Sequence, residues 1–155
     1  MTRSPALTEV EFHTGVQDPV AFTCRLLRKA YRKSVRVLVT APPELLAELD
    51  RQLWTFEARE FLPHVLAPDV HTPGAAAALA ARTPIWLATR AGVADAPRVV
   101  VNLGADAPAD LAALERLIEV VAIDADEMDR GRSRWRAYKS AGLEIRHHAA
   151  GGAGE

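Results

Sequence analysis

The segment VRVLVT, Val35 to Thr40, is apolar except at Arg36 and its last residue, a pattern that suits a strand covered on both faces in the middle of a layered α/β sheet. Further strand candidates lie at Thr8 to Phe12, where Val10 and Phe12 alternate with acids, and at Phe61 to Leu66, Ile85 to Ala88, Val99 to Leu103 and Val120 to Ile123. Helical patterns fall between them. Over Asp18 to Lys33, Val20, Cys24, Leu27 and Tyr31 recur at helical spacing, with Asp18-Pro19 as cap and first turn. Pro43 to Leu53 and, after Pro108, Ala109 to Leu117 form the second and third predicted helices. A last helix begins near Asp124, where Asp124 and Glu127 have the spacing of a capping box, and ends near Gly142. Gly131 inside it costs about 1 kcal/mol relative to alanine and is its weak point.

Alternating strands and helices predict a three-layer α/β/α single domain with a mostly parallel central sheet over residues 1–148. The terminal AAGGAGE, residues 149–155, is expected to be a disordered tail. Ala67 to Pro84 carries Pro68, Pro73 and Pro84 around the alanine run Ala75 to Ala78, which predicts a mobile surface excursion with one short helix.

Composition narrows the function classes. With 49% hydrophobic and 25% charged residues the chain is ordinary globular material, neither disordered nor membrane-spanning. No apolar run approaches the ~18 residues of a spanning helix, and MTRSPALTEVEF lacks a signal-peptide core, so a cytoplasmic protein is expected. One cysteine excludes an internal disulfide, and the five scattered histidines offer no structural zinc spacing; no metal and no cofactor are expected. The first strand leads into HTGVQDP, with no glycine-rich phosphate loop, and there is no G-x-S-x-G elbow. Cys24 falls on the apolar face of its helix, as a structural thiol does. His64 reads as a packed or hydrogen-bonded histidine, whereas His147 and His148, beyond the last helix, read as solvated. Asp124, Asp126, Glu127 and Asp129 cluster at a helix start, where negative charge complements the free N–H groups.

The functional signal is GRSRWRAYKSAG, Gly131 to Gly142, within a chain of net charge -1. Counted from Met128 along a helix, Arg132, Trp135, Arg136 and Lys139 share one stripe, while Arg134, Tyr138 and Ala141 share another. No acid occurs from Arg130 to Lys139, so five cations repel one another, with Asp129 alone placed to compensate Arg132. The ordinary account is one core stripe and one solvated stripe. The tolerated repulsion favours a receptor for an acidic peptide with an apolar anchor. Exposed ion pairs contribute ~0.2–1 kcal/mol each and a buried anchor ~1.5–3 kcal/mol, enough after ordering costs for recognition on the order of micromolar. Direct binding of single-stranded nucleic acid through phosphate contacts and stacking on Trp135 is a second option. A small α/β enzyme using a crevice near His13, Thr14 and Asp18 is a third.

The helix CRLLRKAYRK followed by VRVLV, the block LWTFEAREFLPH at Leu53 to His64, the strand VVVNL and the closing RWRAYKSAG occur in an order that resembles the chi subunit of the bacterial DNA polymerase III holoenzyme. The resemblance spans nearly the whole chain. It implies a non-enzymatic accessory protein of the clamp loader, joining the psi subunit to the acidic, phenylalanine-ended C-terminal tail of single-stranded DNA-binding protein. By resemblance, Arg132, Trp135 and Arg136 match the tail-binding site, with Arg130 and Lys139 as supporting cations. Trp54 and Phe61 match aromatic positions that engage psi or a helicase partner. Met128 stands where some relatives carry lysine, with Arg130 the residue to take over the lost contact. Ser34 stands where relatives can carry glycine.

Overall fold

A computed structural model describes residues 7–56, 61–66 and 74–149. The strands are β1 (Glu9–Val16), β2 (Val37–Thr40), β3 (His64–Leu66), β4 (Ile85–Ala88), β5 (Val99–Asn102), β6 (Arg116–Ala122) and β7 (Glu144–Ala149). They form one sheet in the order β3-β4-β2-β5-β6-β1-β7, with every pairing parallel. The helices are α1 (Pro19–Arg32), α2 (Pro43–Thr55), α3 (Ala75–Arg82) and α4 (Ala125–Ser140). The expected three-layer α/β/α domain is what forms.

Parallel sheets need cover on both faces, and two buried clusters supply it. Cys24 and Leu27 of α1 and Leu46, Leu49 and Leu53 of α2 pack on Val37, Val39, Val101, Ile118 and Val120. Ala80 of α3 and Tyr138 of α4 pack on the opposite face with Val10, Phe12, Leu38, Trp86 and Val121. VLVT of β2 is buried throughout, as a strand with neighbours on both edges requires. Asp18 caps α1 by accepting from Ala21 N at 3.1 Å. Ser34, just past α1, has φ 59°, the left-handed region where glycine costs least.

In three places the fold departs from expectation. The helix expected over Ala109 to Leu117 shrinks to a single 3₁₀ turn at Leu111–Ala113, and Arg116 already opens β6. The LAALERL spacing is helical, but Leu117, Ile118, Val120 and Val121 all bury as a strand between β5 and β1, and tertiary pairing overrides propensity. A strand absent from the sequence-based candidates follows α4: β7 pairs with β1 over six registered residues from Glu9↔Glu144 to Thr14↔Ala149. His147 and His148 are exposed as expected, but on an edge strand. The strand expected over Phe61 to Leu66 is shorter, beginning at His64. Of the mobile excursion expected over Ala67 to Pro84, residues 67–73 lie outside the described residues, and in the described part α3 supplies the expected short helix. Of the expected tail, Ala149 closes β7 and residues 150–155 lie outside the described residues.

Candidate functional site

Helix α4 starts as its sequence dictates. Asp124 accepts from Glu127 N at 3.2 Å, and Asp126 and Glu127 occupy the positive first turn. The helix runs unbroken through Gly131, and the glycine is there for packing. A Cβ at that position would lie 2.9 Å from Val121 Cγ1 and 3.0 Å from Cγ2. Glycine therefore lets α4 settle directly on β6.

That approach divides the helix as the two stripes predict. Arg134 and Tyr138 turn inward and meet Glu119, fully buried on β6. Arg134 Nε donates to Glu119 Oε1 at 2.9 Å, while Tyr138 Oη and Asn102 Nδ2 donate to Oε2 at 2.5 Å and 2.9 Å. Asn102 in turn accepts from Thr40 Oγ1 at 3.0 Å, so the network links β2, β5, β6 and α4. Burial pushes the Glu119 carboxyl up from its usual range, while Arg134 and the hydrogen bonds pull it down. Burial and the neighbouring Glu119 carboxylate together raise the Tyr138 hydroxyl. This cluster anchors the helix.

The other stripe faces outward. Phe12, Val121, Met128, Gly131 and Trp135 line a cavity of about 360 Å³, with Thr14 and His147 at one side and Arg132 and Arg136 at the rim. Trp135 is held as a wall: its ring centroid lies 4.9 Å from Phe12 and 5.2 Å from His147, the latter edge-on. His147 is itself fixed by a 2.7 Å hydrogen bond between Nε2 and Thr14 Oγ1. Three candidate residues, Arg132, Trp135 and Arg136, therefore converge on one apolar notch; Arg130 and Lys139 are exposed but do not line it. Met128 contributes an apolar, deformable side chain to its lining.

The charge repulsion expected from five cations is largely relieved. Arg130 pairs with Glu127, Arg132 with Asp129 at 2.9 Å, and Arg134 with Glu119. Spacing exposed the Asp129 pair; Glu119, fifteen residues before Arg134, is brought in by the fold. Among the described residues, Arg136 and Lys139 form no ion pair. Helix α1, with its own basic run, lies on the opposite side of the sheet from α4, so the two cationic segments make no continuous track.

The second candidate pair also meets. Trp54 is 61% and Phe61 51% exposed, with ring centroids 5.2 Å apart, and Trp54 stacks edge-on against His64 at 5.1 Å. His64 is bonded at both nitrogens, to Leu62 O at 2.8 Å and Asp50 Oδ1 at 3.0 Å. It is thus the hydrogen-bonded histidine expected, with an acid from α2 that local sequence did not reveal.

The crevice residues do not assemble as an enzyme site would require. Successive strand residues point to opposite faces, so His13 packs on Phe22 of α1 while Thr14 serves the α4 side, and Asp18 is spent as a cap. A cavity of about 400 Å³ does lie beside His13, but its polar lining is mainly cationic, with Arg25, Lys29, Lys33 and Arg116. A larger cleft, about 980 Å³ beside Trp86, Ala91 and Arg98, shares no residue with any candidate site. Cys24 is buried, and burial pushes its thiol up to about 11, far from a nucleophile's range.

The family model of the DNA polymerase III chi subunit, HolC, matches residues 7–146. The chain belongs to the DNA polymerase III chi subunit family. It is also 27% identical over 147 residues to the DNA polymerase III subunit chi of Pseudomonas aeruginosa, covering 92% of this chain and 96% of that protein. The family match covers the Trp54–Phe61 patch and every residue of the α4 notch except His147. Among the described residues no helix is long and apolar enough to cross a membrane.

Proposed function

We propose that this chain is a non-catalytic accessory subunit of the DNA polymerase III clamp loader. It bridges the psi subunit and the acidic C-terminal tail of single-stranded DNA-binding protein. The observation that carries the reading is the α4 notch, an apolar cavity walled by Trp135 with guanidinium groups at its rim. A terminal aromatic side chain fills the notch, while Arg132 and Arg136 take the terminal carboxylate or the acids before it. Arg130 and Lys139, outside the notch, act at longer range on the acidic stretch. The exposed Trp54 and Phe61 rings form the second surface, for psi or a helicase. Two surfaces on separate elements are what a bridging subunit needs. Separation of the two basic helices by the sheet argues against direct single-strand binding as the main activity.

Calorimetric titration with an acidic, phenylalanine-ended peptide tests the first surface, with a single-stranded oligonucleotide as comparison. Trp135→Ala is expected to weaken peptide binding by about tenfold or more, through loss of ~1.5–3 kcal/mol of apolar contact. Arg132→Ala weakens it by less and leaves the thermal midpoint nearly unchanged. Trp54→Ala leaves peptide binding intact and abolishes co-purification of psi. Unchanged peptide affinity in both α4 variants, or tighter binding of the oligonucleotide, sinks the assignment.

A further inference from the structure

The histidines are scattered in sequence, but strand pairing brings two of them together on the sheet face away from α4. Glu11 and His13 share that face of β1 because they are two residues apart, and β7 sets His148 in register with His13. The two imidazoles stack with centroids 4.8 Å apart and planes at 15°. His13 Nε2 stands 3.8 Å from Glu11 Oε2. One potential ligand atom from each of Glu11, His13 and His148 lies within 4.8 Å of the other two. Arg116 Nη2 holds the remaining Glu11 oxygen, Oε1, at 2.7 Å. That leaves Oε2 directed at the histidines, as outer-shell partners orient metal-ligating carboxylates.

We propose that Glu11, His13 and His148 form a binding site for a divalent transition metal ion of the zinc type. Two imidazole nitrogens with a single carboxylate select borderline ions over magnesium or calcium, which prefer oxygen ligands. Zinc takes nitrogen at about 2.0–2.1 Å and carboxylate oxygen at about 2.0–2.2 Å, closer than the three groups now stand. The adjustment falls on His148, exposed on the edge strand β7. Three protein ligands leave a further position to water. Bound metal ties β7 to β1 on one face, while Thr14 and His147 tie the same strands on the other.

Titration of the full chain with zinc chloride, followed by calorimetry and thermal unfolding, tests this, with magnesium chloride in parallel. We expect one zinc ion per chain, no magnesium binding, and a thermal midpoint that rises with zinc. His148→Ala and Glu11→Gln each weaken zinc binding by about tenfold or more and remove the thermal shift. Because His148 is exposed, its substitution does not threaten folding, whereas His13 packs on Phe22. Absence of zinc binding by the unaltered chain, or zinc affinity that survives either substitution, overturns the site.

Discussion

The two faces of α4 use the same residue type to opposite ends. Arg134 is 7% exposed and closes on a buried carboxylate with a tyrosine and an asparagine around it. Arg132 and Arg136, two residues away on either side, stand at the rim of an apolar notch. Charge alone therefore says little about what an arginine on this helix does. Desolvation decides it, because a guanidinium removed from water requires an internal partner, and one left in water stays available to an external anion.

The largest expected effect comes from breaking the inner face. Glu119→Ala strands the Arg134 charge in the interior and leaves Tyr138 Oη without its acceptor, a loss of about 3–5 kcal/mol. Urea unfolding should show a lower midpoint with an unchanged slope. Replacing the pair together, Glu119→Leu with Arg134→Met, should recover most of that stability, and the folded double variant should still bind the acidic peptide. If it folds but does not bind, the two faces are not separable and the comparison fails.

Gly131→Ala probes the boundary between the faces. Alanine gains about 1 kcal/mol of helix propensity, but its Cβ meets Val121 at 2.9 Å, and overpacking costs about 1–3 kcal/mol. The net result is a smaller destabilisation than at Glu119. It comes with weaker peptide binding, since Gly131 and Val121 both line the notch. A gain in stability would mean that α4 does not need its close seat on β6.

Much of this was legible before any coordinates. The stripe count placed Arg132, Trp135 and Arg136 together, and Asp124 with Glu127 fixed where α4 begins. Glu119 was hidden because its partner lies on another element, and no local pattern marks a buried acid within RLIEVVA. Strand β7 was hidden for a related reason. EIRHHA has one large aliphatic residue, Ile145, at its second position, and is held by main-chain pairing to β1, not by its own burial. Gly131 looked like a weakness because a glycine's packing role depends on what faces it. Trp54 and Phe61 could be paired by resemblance, but only the fold decides that both rings are exposed.

The smallest effect is also the sharpest test of the outer face. Asp129 pairs with Arg132 at 2.9 Å, both side chains well exposed, so any acidic ligand competes with it for the guanidinium. Asp129→Asn removes that competitor along with one repulsive charge, and should tighten acidic-peptide binding by ~0.2–1 kcal/mol at low ionic strength. The gain should fade toward molar salt, where the screening length falls to about 3 Å. Folding stability should shift by no more than about 0.5 kcal/mol, as for other exposed substitutions. An affinity that does not rise at low salt would show that Arg132 stays turned to its own helix when the peptide is bound. The rim would then reduce to Arg136, and the difference between the two faces of α4 would rest on one arginine instead of two.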